Sequence, residues 1–214
     1  MNTQQGRLIT LEGGDGVGKT THIELLDAYL TGHGISVLTT REPGGTALGE
    51  ALRKVLLRGE LECGAETEMM VLFAARTQHL HAVLRPAISK GQWVLCDRFT
   101  DATFAYQGGG RGIPFERIER LETFVQEGFQ PDLTLLLDLP VEEGLARTAG
   151  RGGHADRFEK QNLAFKERLR QSYLRRQRDH SERIRYVDAS GSIDEIQVIL
   201  QHHIQTLLIS GTSS

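Results

Sequence analysis

The chain has 214 residues, with 25 Lys and Arg against 28 Asp and Glu for a formal charge of -3, 39% hydrophobic residues and 24 glycines. This is the composition of an ordinary folded chain, so the disordered and collagen-like classes are excluded. The mild acidity argues against a general nucleic-acid or membrane-surface coat, because both need a net basic face.

Five short runs, nearly continuous in apolar or β-branched residues, read as strands covered on both faces. They are Leu8–Glu12, residues 35–40, Trp93–Asp97, Leu133–Asp138 and Ile184–Asp188. Helical spacing fills the intervals: 20–30, stopped by Gly32 and Gly34, then 48–57, and 66–84, which Pro86 should end or kink. It continues at 115–127, 142–149, 158–179 and 193–208. Strands alternating with helices imply right-handed crossovers and a parallel sheet. No repeat or long linker divides the chain, so residues 1–214 are expected to form one α/β domain. Two segments fit neither period and are expected as mobile loops: GGGRG at 108–112 and GRGGHAD at 150–156. Cys63 and Cys96 lack metal-ligand spacing and read as reduced thiols, with Cys96 in a strand of the core. The start MNTQQGR has no basic region followed by an apolar one, and no apolar run approaches membrane-spanning length. A cytoplasmic protein without a membrane partner is expected.

The strongest chemical signal is GGDGVGKT at 13–20, which follows the first strand and opens the first helix. At average composition such a string arises by accident in roughly one 200-residue chain in a hundred. Gly13, Gly14, Asp15, Gly16, Val17 and Gly18 let successive backbone N–H groups converge on phosphate oxygens, at the positive end of a helix. Lys19 supplies a point charge, Thr20 a hydroxyl for a magnesium ion, and Thr21 continues the same turn. The chain lacks an N-K-x-D guanine reader and an LSGGQ signature, and has Gly14 where a partitioning ATPase carries a second lysine. A small ATP-dependent kinase remains. Asp97-Arg98-Phe99 ends the third strand at the carboxyl edge of the sheet, where open α/β sheets bind ligands. Arg98 there suits a second phosphate.

TREPGGT (40–46), FAAR (73–76), DRF (97–99), AYQGGGRG (105–112) and DRFE (156–159), in this order, resemble bacterial thymidylate kinases over about 90% of the chain. The resemblance implies a three-layer P-loop fold with a five-stranded parallel sheet in the order 2-3-1-4-5, a mobile lid at about 147–159, and a homodimer. It also implies transfer of phosphate from ATP to dTMP with magnesium. Arg76 would bond the thymine O4 and Phe73 cover the ring, with Leu72, four residues before the arginine where many members carry the aromatic, as the alternative. Thr103 and Gln107 would read the base edge, Tyr106 would sit against the sugar, and Pro43 would border the base. Glu42-Pro43 is an X-Pro bond in a tight loop and open to either isomer. Asp15 would lie near the 3′-hydroxyl, Arg41 and Arg98 near the phosphates. Arg147 would pack against adenine near Asp188 and Ala189, and Arg151 would be the lid charge for the transferring group, with Arg157 nearby.

Two dianionic phosphates about 5 Å apart repel by roughly 3 kcal/mol even in bulk-water dielectric, so fixed positive charge is the main requirement. Two rival readings stay open at this point. A deoxynucleoside kinase would need a general base near its hydroxyl acceptor, for which Glu12 is available. A nucleotide-dependent switch would hydrolyse ATP without any acceptor.

Overall fold

The computed structural model describes residues 5–58, 63–149, 157–158 and 161–210. Among them, β1 (Leu8–Glu12), β2 (Val37–Arg41), β3 (Trp93–Asp97), β4 (Leu133–Asp138) and β5 (Ile184–Asp188) form one parallel sheet, in the order β2-β3-β1-β4-β5. The expected strand order is the observed one. Helices α1 (Lys19–Gly32) and α9 (Ile193–Ser210) cover one face. There Ile9, Leu11, Leu95, Leu135 and Val187 meet Ile23, Leu26, Leu30, Ile196 and Leu200 in one apolar cluster. The alternate strand residues Leu8, Val94 and Cys96 face Met69 and Phe73 of α3 (Ala65–His79) and Ile118 of α6 (Phe115–Gln126). Leu136 and Ile184 face Phe165, Leu169 and Tyr173 of α8 (Leu163–Asp179). This period-two partition between two helical layers is why the strands read as unbroken apolar runs. Each such fully buried side chain contributes about 1.5–3 kcal/mol.

Four boundaries differ from the sequence reading. β2 begins at Val37, because Gly34 turns with φ 77° and Ile35 donates its N–H back to Leu30 at 3.1 Å, plugging the core from the turn. Pro86 does not end its helix. A π-helical turn at Leu80–Leu84 precedes it, and Pro86 falls in the first turn of α4 (Arg85–Ser89), where a missing N–H is tolerated. α8 starts at Leu163, five residues later than expected, because the Asn162 side chain accepts from the Phe165 N–H at 2.9 Å and caps it.

The fourth difference is the largest. The expected loop at 108–112 is mostly helix: α5 (Thr100–Thr103) runs into a π-helical segment, Phe104–Gly110, pressed against α8. A Cβ on Gly109 would stand 2.5 Å from the Ser172 Cβ, and one on Gly110 would stand 2.4 Å from the Phe165 ring. The glycines serve close helix packing rather than mobility. The loop expected at 150–156, and Arg151 within it, lie outside the described residues.

Candidate active site

β1 sits between β3 and β4, so the strand order reverses beside its carboxyl end. The segments leaving β1 and β3 open into a crevice there. The 13–20 turn leaves β1 and enters α1 through Gly18, at φ 89°. Gly16 has φ 79°, and a Cβ on it would lie 2.2 Å from the Gly144 carbonyl oxygen of α7 (Val141–Thr148), so only glycine fits. Lys19 bends over the turn and donates Nζ to the carbonyls of Gly13 (3.2 Å) and Gly14 (2.8 Å). Burial, and then the neighbouring Arg98, push its pKa down to about 8.

Arg98 adopts φ 70°, a left-handed conformation that an arginine rarely takes and that marks a constrained site. Its Nη1 donates to the Gly13 carbonyl (2.8 Å) and to the Tyr173 hydroxyl (3.1 Å), and its guanidinium lies 5.0 Å from the Tyr106 ring centre. Tyr173 in turn donates to Glu12 Oε2 at 2.8 Å, while Glu12 Oε1 accepts from the Phe99 N–H at 2.7 Å. Burial, then the negative charge of Asp101, push the Glu12 carboxyl up to about 7. Asp15 lies 3.1 Å from Lys166 Nζ and 3.7 Å from Arg98 Nη2. Burial works to raise its carboxyl, but Arg98, Lys19 and Lys166 outweigh that and hold it below the usual range.

A cleft of about 620 Å³ runs from Asp15 and Arg98 past Tyr106 to Pro43, Arg76, Thr103 and Gln107. Glu42-Pro43 is cis. At the inner end Arg76 is clamped: Nε donates to Glu42 Oε2 at 2.7 Å, and Nη2 to Thr103 Oγ1 at 3.1 Å. Glu42 Oε1 pairs with His79 Nδ1 (3.0 Å), and His79 Nε2 with Thr40 Oγ1 (2.8 Å). Arg76 Nη1 and Gln107 Oε1 are buried without a partner among the described residues.

Two expected contacts are not made by the residues expected. Phe73 is a core side chain, 2% exposed, lying behind Arg76 with its ring centre 4.9 Å from the guanidinium carbon. Leu72 lines the cleft instead. A helix cannot turn two adjacent residues to the same side, and the larger apolar ring goes inward. Arg41 points out to Glu50, at 2.9 Å, with its side chain 52% exposed. Arg53 of α2 (Ala47–Arg58) lines the cleft in its place, tethered to the Pro43 carbonyl at 3.0 Å. Arg147 donates to the carbonyls of Ala189 (2.8 Å) and Ser190 (3.2 Å), so it does meet the segment after β5. Arg157 pairs with Glu68 at 3.0 Å, on the base side of the cleft rather than over the phosphate turn.

Sequence reading missed Glu68, Tyr173, Lys166 and Arg53, and offered Glu12 only as a base for a hydroxyl acceptor. Glu12 and Glu68 carried a signal: each is a lone carboxylate at a position that the apolar pattern assigns to the interior. Among the described residues no cluster of three or more His, Cys, Asp or Glu could hold a metal. Asp97 nevertheless keeps a buried Oδ1 without a partner among the described residues at the end of β3. With the Thr20 hydroxyl it offers the hard oxygen donors that a magnesium ion shares with phosphates and water. The residues present fit that ion. Among the described residues no helix is long and apolar enough to cross a membrane.

The thymidylate kinase family model matches residues 11–198. Thymidylate kinases of Pseudomonas putida and Cupriavidus metallidurans are 54% and 52% identical to this chain, over 90% of it and 91% of the first protein, and over 95% of it and all of the second. The crystal structure of thymidylate kinase from Ehrlichia chaffeensis superposes with a TM-score of 0.76 at 29% identity, covering 94% of this chain and 99% of that one. With the phosphate turn, the strand-end arginine and the clamped Arg76 all at one cleft, the chain belongs to the thymidylate kinase family.

Proposed function

We propose that this protein transfers the γ-phosphoryl group of ATP to dTMP, giving ADP and dTDP. The observation that carries the reading is a single cleft with the phosphate turn's Asp15 and Arg98 at one end and an unpaired donor–acceptor couple, Arg76 Nη1 and Gln107 Oε1, at the other. The monophosphate lies against Arg98 and Arg53, and its base reaches Arg76, Thr103 and Gln107. Asp15, held ionised by its three cationic neighbours, accepts from the 3′-hydroxyl. Leu72 and Phe158 cover the ring where they line the cleft, and Tyr106 flanks the sugar.

ATP binds across Gly13, Gly14, Gly16, Val17 and Gly18, with Lys19, Thr20 and Thr21 at its phosphates and Arg147 beside adenine. A dTMP phosphate oxygen attacks the γ-phosphorus in line. A new P–O bond forms, the bond to the β–γ bridging oxygen breaks, and ADP leaves with that electron pair. The attacking phosphate is already anionic, so no side-chain base is required. Lys19 and Arg98 neutralise the charge that accumulates between the two nucleotides, and Arg151 is assigned the same task on sequence resemblance. Thr20 and Asp97 would hold a magnesium ion, which would supply further neutralisation of phosphate charge when bound. The exposed Met70 of α3 and Phe124 of α6 support pairing of two copies.

ADP release measured with ATP plus dTMP, with ATP plus thymidine, and with ATP alone tests the reading. Release should require dTMP. Release driven by thymidine would make the protein a nucleoside kinase, and release without acceptor would make it a nucleotide-dependent switch.

A further inference from the structure

The inner end of the cleft holds one donor and one acceptor that nothing in the protein satisfies among the described residues. Arg76 Nη1 can only donate and Gln107 Oε1 can only accept. Their side chains are buried, at 2% and 1% exposure, and both line the cleft. A donor beside an acceptor complements a ring edge that presents a carbonyl next to a ring N–H. It opposes an edge that presents an amino group next to a bare ring nitrogen.

Arg76 cannot reverse this polarity, but Gln107 can, because a half-turn of its amide exchanges oxygen for NH₂. Glu68 prevents the exchange. It is fully buried in the first turn of α3, two turns before Arg76 on the same helix. Its Oε1 accepts from Gln107 Nε2 at 2.7 Å. Its Oε2 faces Arg157 Nη2 at 3.0 Å and Arg111 Nη2 at 3.3 Å. Set against two guanidinium groups, the carboxylate is an acceptor only. Turning the amide would bring oxygen against oxygen at the same close separation, between two buried side chains.

We propose that Glu68 is a specificity-determining positioning residue: it locks the Gln107 amide with Nε2 inward, so the cleft takes an oxo-pyrimidine and refuses an amino-pyrimidine. This rests on the dTMP reading above. Glu68 touches no substrate and acts only through Gln107, with Arg111 and Arg157 holding its charge in place.

The test compares kcat/KM for dTMP and for 5-methyl-dCMP, which share the methyl group, sugar and phosphate and differ at the ring edge alone. In Glu68→Gln the new amide can donate to Gln107 Oε1, so both orientations become available. The dTMP preference should then fall by about tenfold or more, through KM, while kcat for dTMP stays within about threefold. In a Gln107→Leu background, Glu68→Gln should shift the preference by less than about twofold, as a residue acting through Gln107 must. An unchanged preference in Glu68→Gln overturns the proposal, and so does an equal shift in the Gln107→Leu background. If Glu68→Gln does not fold by circular dichroism, Glu68→Asp keeps a charge toward the arginines but withdraws from Gln107. Its preference should also fall, and a wild-type preference in it overturns the proposal. A wild-type protein that turns over dTMP without preferring it overturns the Glu68 assignment alone. One that ignores dTMP removes the kinase reading and this inference with it.

Discussion

The phosphate end and the base end of the cleft are built by opposite means. At the phosphate end most working groups are consecutive: backbone N–H groups of one turn, the lysine that closes it and the hydroxyl after it, joined by Arg98 from the end of β3 and Arg53 from α2. At the base end they come from four places: Glu42 after β2, Glu68, Arg76 and His79 on α3, Thr103 on α5, and Gln107 on the π-helical segment. The first is local geometry, which the chain adopts wherever those glycines stand. The second is a buried lattice of charge, each member of which leaves another uncompensated if removed. Function should therefore separate from stability at the phosphate end and not at the base end.

The sharpest test sets Lys19→Ala against Arg76→Met. Lys19 is a half-buried cation whose nearest oxygen partners are the carbonyls of its own turn, so its loss should leave the melting temperature within a few degrees. Turnover should fall about a thousandfold, the scale of a missing cation on a transferring phosphoryl group. Arg76→Met removes the guanidinium that Glu42 Oε2 meets at 2.7 Å, in surroundings where neither side chain is more than 4% exposed. Breaking such a pair costs about 3 kcal/mol or more, and the melting temperature should drop by roughly 6–12 °C. Thermal melts beside ADP-release rates read both. Equal destabilisation by the two variants would erase the distinction between the ends.

The same distinction explains what the sequence made legible. The strands and the phosphate turn rest on contiguous patterns and stand where expected apart from the shifted bounds of β2, whereas the strand order was legible only through resemblance. Most of the base-end residues were legible only through motif resemblance, and that carried over positions better than orientations. Phe73 and Leu72 are neighbours on α3, and only packing decides which one faces the cleft. Arg41 and Arg53 reach the same neighbourhood from β2 and α2, and the choice falls to Glu50, whose carboxylate draws Arg41 outward. Glycines 108–110 read as a flexible loop because composition cannot distinguish glycine needed for freedom from glycine needed for contact with Phe165 and Ser172.

Glu12 stands behind the phosphate end, since it holds Tyr173, which holds Arg98. Its carboxyl is raised to about 7 in the folded protein, chiefly by burial and then by Asp101, from an ordinary value of 4.5. Between those two pH values the folded state holds a proton that the unfolded chain releases, so stability falls as pH rises through the interval. Glu12→Gln cannot titrate there. The melting temperature of Glu12→Gln minus that of the wild type should grow from pH 5 to about pH 7 and level off above it. A constant difference would mean that this carboxyl is charged throughout, and that Tyr173 donates to an anion across the whole range.

The smallest expected effect falls at the seam between the two regions, where one arginine serves the cleft and its neighbour does not. Arg53 lines the cleft, fixed by its bond to the Pro43 carbonyl, and it lies close enough to Arg98 and Asp97 for their charges to act on its own. Arg41 spends its guanidinium on Glu50 at the surface, an arrangement worth about 0–1 kcal/mol. Arg53→Ala should raise the KM for dTMP about tenfold, the cost of one charge-assisted bond to phosphate, and leave the KM for ATP alone. Arg41→Ala should change either constant by less than about threefold, since exposed pairs far from a ligand contribute little. If Arg41→Ala proves the more damaging, the Glu50 pair must open when the monophosphate arrives. The seam would then be a moving part, and the phosphate end would depend on side-chain rearrangement as the base end depends on side-chain order.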